Sequence, residues 1–300
     1  MRTTDMADEL FRGPETELPA GVRLATAKRG GVTVTRVEIA REGLARPRGR
    51  YVTLEMPSVS VLDERDTDVI ETGAAELRAL LPPEGPVLVL GIGNRRVTAD
   101  ALGPRTAQKI LVTMGPQHTL PVRGIRPVAA LAPGVLGVTG METADLVQGA
   151  AEHAKPCAII AIDALSAREC RRIGAVIQVT DTGIQPGSGV GNHRAGITRE
   201  TMGVPVIAVG VPTVVYGSVI IRDALRQLLD DYPDASQREA AADALAQRIL
   251  SQPLGEMVVT PREIDQLVAE LSQVIGMSLN LALQPQLSRE EILMLTNEAL

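Results

Sequence analysis

The sequence predicts an α/β fold built on a largely parallel sheet, and three observations carry that expectation. Short aliphatic runs recur along the chain: VLVL at 87–90, CAIIAI at 157–162, AVIQV at 175–179 and VPVIAV at 204–209. Uninterrupted runs of this length suit strands buried on both faces. Segments of helical spacing lie between and after them, the alternation that marks an α/β domain. The chain also has 300 residues, 45% apolar and 22% charged, enough for one large core with an appendage.

The elements follow in order. Residues 1–20 are polar, with prolines, and read as a leader. Residues 22–40 alternate apolar and polar positions about Gly30-Gly31, which predicts a β-hairpin. Residues 50–55 form a further strand, so a small β-rich elaboration spans about residues 20–56. Residues 74–81 have helical spacing and stop at Pro82-Pro83. The main sheet opens at Val87, and a helix-like stretch follows over residues 101–114. A short strand is expected at 126–131, a helix at 143–155, and the buried strands at 157–162, 175–179 and 204–209. Helices at 218–229, 240–250 and 262–283 surround a short apolar piece at 257–259. Ser288-Arg-Glu-Glu291 has the form of a capping box opening a final helix.

Composition excludes several classes. Aromatic residues make up 1% of the chain, namely Phe11, Tyr51, Tyr216 and Tyr232. Such a chain has almost no ring surface on which to stack single-stranded bases. The formal net charge of −6 supplies no basic field for DNA. Cys157 and Cys170 are too few for a disulfide scaffold or a cysteine-rich metal site. The amino terminus lacks the layout of a signal peptide. The longest apolar run, 204–215, is too short for a bilayer and is broken by Gly210 and Pro212. A cytoplasmic protein without nucleic-acid or membrane partners is expected.

The chemistry is expected around VLVLGIGNRRVTADALGP, residues 87–104. Gly91 and Gly93 end a buried strand, Asn94 holds a turn, and Asp100 follows just past the strand's carboxyl end. Open α/β sheets bind ligands there. Gly91-x-Gly93 is an incomplete dinucleotide fingerprint, because Arg96 stands at the third glycine position, and no P-loop follows. A second strand end carries Asp163, in a similar setting: TADAL at 98–102 and AIDAL at 161–165. Two carboxylates held close at one rim titrate apart, so one can serve as general acid while the other activates water. Against this stands the structural alternative that either aspartate merely caps a helix.

Other nucleophiles fit less well. Ser188 lacks the first glycine of a nucleophile elbow, and Cys170 has no evident activating partner. His193 with Asp100 and Asp163 would suit a divalent ion. The glycine-rich loop 183–196 could cradle an oxyanion through its N–H groups.

LGIGNRRVTADALGPR, RPVAALAPGVLGVTGMETAD, AIIAIDALSAR, IQVTDTGIQPGSGVGNHR and GVPVIAVGVPTVV together resemble the germination protease family of spore-forming bacteria. The resemblance runs from about Arg50 to Val215 and resumes at Met257. It implies a phosphorylase/hydrolase-like α/β sheet flanked by helices, shared with hydrogenase maturation endopeptidases. It implies an endopeptidase, free of cofactors, that begins the degradation of small acid-soluble spore proteins in the spore core during germination. Its catalytic aspartates would be Asp100 and Asp163. A homotetramer made as a zymogen is also implied, cut at an acidic residue followed by an apolar residue and alanine. Asp5–Met6, followed by Ala7, matches that pattern, giving a propeptide of residues 1–5 and a single peptidase domain over 6–300.

Two departures stand out: Tyr216 occupies a position where the family usually has aspartate, and the region between Tyr232 and Pro253 is short. The related maturation enzymes use a metal, so a metal-dependent maturation endopeptidase is the first alternative. A catalytically silent spore-core binding protein is the second.

Overall fold

The computed structural model describes residues 6, 8–10, 18–44, 46–56, 67–115, 124–185, 195–228, 241–242, 244–245 and 257–298. Its strands are β1 (Val22–Arg29), β2 (Val32–Ile39), β3 (Gly49–Glu55), β4 (Val87–Gly91), β5 (Val128–Leu131), β6 (Ala158–Ala167), β7 (Val176–Thr180), β8 (Val206–Tyr216) and β9 (Val258–Val259). The helices are α1 (Thr67–Leu80), α2 (Leu102–Ala107), α3 (Leu136–Thr139), α4 (Thr143–Ala154), α5 (Arg199–Met202), α6 (Gly217–Leu228), α7 (Ile264–Leu283) and α8 (Arg289–Glu298).

The strands join one sheet in the order β1-β2-β3-β7-β8-β6-β4-β5, with β9 paired to the end of β8. β8, β6, β4 and β5 run parallel, as their unbroken aliphatic sequences predict. β7 joins β8 antiparallel, and β3 joins β7 antiparallel. The β-rich elaboration therefore extends the main sheet instead of standing beside it. The β1–β2 hairpin turns at Gly30-Gly31, and the Gly31 amide donates to the Asp68 carboxylate at the start of α1. Arg36 on β2 pairs with buried Glu76 on α1, so the helix is tied to the hairpin at two places.

Strand alternation assigns the two faces. Val89, Ile160, Ile162, Val209 and Val211 face a core completed by Val69, Ile70 and Leu77 of α1 and by Val268, Leu271 and Ile275 of α7. Leu88, Leu90, Ile159, Ala161 and Val206 face the other way, against Val147 of α4 and Ile197. With 14 buried residues across its 20, α7 is apolar nearly all round, as befits a helix enclosed by its neighbours.

Several boundaries differ from the sequence expectation. The helix expected over 101–114 ends at Ala107. The reason lies in α7: Asn280 accepts from the Leu111 amide and donates to the Lys109 carbonyl, while the Thr113 and Met114 amides donate to the Val128 carbonyl. These partners satisfy the backbone outside a helix. Helix α1 begins at Thr67, before the expected start at Ala74. Strands β6 and β8 run on to Ala167 and Tyr216, because each supplies the other's ladder past a bulge at Leu165/Ser166. The final capping box forms as expected, with Ser288 and Glu291 exchanging hydrogen bonds. Most of the helix expected at 240–250 lies outside the described residues.

Two glycines set the distance between α2 and the sheet. A Cβ on Gly103 would overlap the carbonyl oxygens of Ile92 and Ile162, and one on Gly91 would overlap the Gly103 carbonyl. Backbone atoms cannot swing aside, so added volume strains the contact. Gly103→Ala is expected to lower stability by about 3 kcal/mol, measured by urea unfolding. The same change at Gly137, where nothing lies within 4 Å, should cost far less.

Candidate active site

The sheet reverses its winding between β4 and β6. The chain leaves β4 for β5 on one side and later enters β6 on the other. The crevice beyond the carboxyl ends of such strands is where open α/β sheets hold ligands. Here the sequence has placed its two acidic candidates.

Beyond β4, Gly93 takes φ of +124°, with the Asp100 carbonyl packed where a side chain would begin. That backbone conformation and that close approach both call for glycine. Asn94 accepts from the Arg96 amide through its side chain, the turn expected of it. The Asn94 amide donates to Asp100 Oδ2 at 2.7 Å. Residues Thr98–Asp100 form a single 3-10 turn, and the N-cap of α2 is Ala101, with no side-chain cap. Asp100 therefore does not cap that helix. Its carboxylate is turned back onto the loop leaving β4.

Asp163 lies within β6, not just past a strand end. It is 7% exposed and opposite Gly210 of β8. Alternation places it on the face shared by Ile159 and Ala161, and its Oδ1 accepts from the Ala164 amide at 2.9 Å. The Ile92 amide donates to the Ile162 carbonyl at 2.8 Å, so the exit of β4 is fixed to the residue before Asp163. The loop that carries Asp100 is thus tied to the strand that carries Asp163 at one rim of the sheet.

A cleft of about 290 Å³ opens on the Asp163 face. Leu165, Gly210, Gln178, Thr180, Tyr51 and Thr182 are among the residues lining it. Gln178 pairs with Gly210 and with Thr53, and Thr53 pairs with Thr35. Thr35, Thr53, Gln178 and Asp163 therefore lie in one register row across five strands, all of them buried. Sequence reasoning passed over this row. Its one signal was glutamine amid the aliphatic residues of VIQVT. Tyr51 donates to the Pro47 carbonyl at 2.8 Å, and burial first of all raises its pKa, so the phenol beside the cleft stays neutral.

Thr213 was also missed. It is wholly buried, and its hydroxyl donates at 2.7 Å to the carbonyl of Ala99, the residue before Asp100. The Thr260 hydroxyl donates in turn to the Thr213 carbonyl. β8 therefore steadies the Asp100 turn from the side.

Of the other candidates, few fall on described residues. Ser188 and His193 lie outside the described residues, as does Asp5. The ends of the glycine-rich loop are joined by an Ile184–Ile197 bridge, while its centre is outside the described residues. Burial, then the hydrogen bond and charge of Asp223, push the Cys170 thiol up to about 11. A thiol so protonated is a poor nucleophile at neutral pH. Tyr216 is a core residue packed with Val215, Val219 and Ala167. Among the described residues, no group of three His, Cys, Asp or Glu side chains could hold a metal ion, and no helix is long and apolar enough to cross a membrane.

A family model described as peptidase A25, germination protease, matches residues 4–247. The chain belongs to the germination protease family. The germination protease of Caldanaerobacter subterraneus subsp. tengcongensis is 40% identical, over 95% of this chain and 94% of its own. That of Clostridium acetobutylicum is 38% identical over 91% of each. That of Bacillus velezensis is 37% identical over 87% of this chain and 86% of its own. A hydrogenase maturation protease from Thermococcus kodakarensis KOD1 is similar over 57% of this chain and 97% of its own, at 17% identity and a TM-score of 0.33. The family match reaches across both aspartates and the cleft, and it identifies the chain as a protease of the germination type.

The tether at Thr213 yields a test. Thr213→Val keeps the shape but leaves the Ala99 carbonyl without its donor. A loss of about 1–3 kcal/mol is expected. Peptidase kcat should fall at least tenfold with KM little changed, read from steady-state cleavage beside a urea curve.

Proposed function

We propose that this protein is an endopeptidase that opens the degradation of small acid-soluble spore proteins at germination, with Asp100 and Asp163 as its acid–base pair. The observation that carries the reading is the placement of Asp100, in the turn that follows β4, and of Asp163, on the adjacent parallel strand β6, at the switch point of the sheet. In this reading one aspartate takes a proton from water as the oxygen attacks the scissile carbonyl carbon. The other, protonated, gives its proton to the carbonyl oxygen and on to the leaving nitrogen. The C–N bond breaks, and the products are a carboxylic acid and an amine, so water is the only co-reactant. Two carboxylates that meet over one rim need not ionise together, and such a meeting would supply the two protonation states at one pH.

The cleft suits an extended peptide laid across the rim, its hydroxyl and amide walls offering hydrogen bonds to the chain. Self-processing at Asp5–Met6 belongs to the same reading, because the bond has the acidic–apolar–alanine form implied for the substrates. A spore-core location and a homotetramer are carried by the resemblance and stand as part of the proposal.

Asp163→Asn is the direct test, since asparagine keeps the size of the side chain and an oxygen for the Ala164 amide. Incubation of the protein starting at Met6 with a purified small acid-soluble spore protein should give cuts after acidic residues, read by mass spectrometry. The variant should lose at least ~10²-fold in kcat with an unchanged melting temperature. Equal cutting by both proteins would move the chemistry away from Asp163. Cutting by neither would overturn the substrate.

A further inference from the structure

The amino-terminal residues of the described chain are held more deeply than their position suggests. Met6 and Asp8 are both 0% exposed, although chain termini usually fray. The turn Asp8–Leu10 packs against β2. Its partner comes from far along the sequence. Arg172, 2% exposed, lies in the 3-10 turn Cys170–Arg172 between β6 and β7. Its Nη2 stands 2.9 Å from Asp8 Oδ2 and donates to Oδ1 at 3.1 Å, and its Nε is 3.3 Å from Glu9 Oε1. The Asp8 and Glu9 side chains are 0% and 4% exposed. One buried guanidinium thus lies against two consecutive carboxylates, hydrogen-bonded to the first and paired by charge with the second. A guanidinium offers donors in a fixed fork, which makes it the side chain suited to such a grip.

These residues are the ones that follow the expected processing bond. Met6 would stand on its carboxyl side, and Asp8 and Glu9 come two and three residues later. A protease cuts a chain drawn out across its catalytic rim, so a bond beside a buried side chain is cut only after local opening. Docking of Met6, Asp8 and Glu9 and cleavage at Asp5–Met6 therefore exclude one another.

We propose that Arg172 forms a binding site for this acidic segment, a latch that must open before the Asp5–Met6 bond can be cut and that receives the same residues again afterwards as the new amino terminus. The latch is independent of the catalytic reading, whereas its role in timing rests on the self-processing proposed above. Opening removes the partners from a buried charge, which is costly, so the latch sets how often the bond is presented. Arg172 touches no reacting atom in this scheme. It is a positioning residue.

The test has two arms. In the Asp163→Asn background the protein is treated, under native conditions, with a protease that cuts on the amino side of aspartate. Cutting at Ala7–Asp8 reports release of the segment, and cutting at Thr180–Asp181, where Thr180 is buried in β7 and the Asp181 amide donates to the Arg50 carbonyl, reports unfolding of the body. Arg172→Met and, as the milder change, Glu9→Gln should raise the first rate at least tenfold while leaving the second unchanged. An unchanged rate at Ala7–Asp8 in both variants, or a rise in both bonds together, overturns the latch.

In the active background the same substitutions should speed conversion at Asp5–Met6 at least tenfold, by intact mass. Cleavage of a free peptide of residues 3–10 should stay constant. Conversion that is unchanged or slower overturns the timing role. If the first arm responds and no protein of the set ever converts, the latch stands and self-processing at that bond falls.

Discussion

The approach of α2 to the sheet is the constraint on which the site depends. Gly91 and Gly103 let backbone meet backbone, and a side chain on either would overlap a carbonyl oxygen of the facing segment. Because α2 sits this low, the loop between β4 and α2 has to fold back over the rim within ten residues (92–101). It does so by turning Asp100 toward the Asn94 amide. The Ile92-to-Ile162 hydrogen bond then ties that loop to the strand bearing Asp163. A functional geometry thus follows from a packing distance. Loops carry site residues well when a rigid scaffold positions them, and here the scaffold is two glycines and the parallel pair β4–β6.

The faces of the sheet divide the work. One is closed by α1, α2 and α7 over a continuous aliphatic core; buried Asn280 of α7 satisfies the irregular chain that leaves α2, and Gln284, just past the end of α7, holds the Arg126 backbone ahead of β5. The other face has α4 against β4 and a cleft against β7, β3 and β8. Joining the amino-terminal hairpin antiparallel through β7 widens the sheet just where the cleft needs a wall. The register row from Thr35 through Thr53 and Gln178 to Asp163 runs from that added part into the strand that bears Asp163. Buried polar groups are retained when they are paired, and this row makes the elaboration a component of the site.

Much of this was legible in the chain. The runs VLVL and CAIIAI announced their strands, Gly30-Gly31 its hairpin, and Ser288 and Glu291 their capping box; Asp100 lies past the end of β4 as expected, whereas Asp163 lies inside β6. What escaped was set by contacts distant in sequence. Helix α2 stops at Ala107 because Asn280, more than 160 residues on, takes the next backbone groups. β6 passes Asp163 because β8 extends the ladder, a pairing that no local pattern encodes. Gln178 and Thr213 acquire meaning once β7 and β8 are placed side by side, and Arg172 once Asp8 is found against it. Local propensity writes the elements; their ends and their polar partners are written by tertiary pairing.

Arg172 shows how that limit bears on function. Read alone, ECRRIG at 169–174 is a charged turn between two strands, the sort of segment that is ordinarily solvated. Arg171 behaves that way, paired with Glu169 and 71% exposed on its side chain. Its neighbour points inward and is nearly inaccessible. Burying a guanidinium costs several kcal/mol unless its charge and its donors are matched, so a neighbouring carboxylate had to be supplied. The chain supplies two, from its own amino-terminal end. A fold that needed only to close the turn between β6 and β7 could have used an apolar residue at this position. With a buried cation whose partners stand just beyond the bond proposed for self-processing, the integrity of the body would be coupled to the state of that segment.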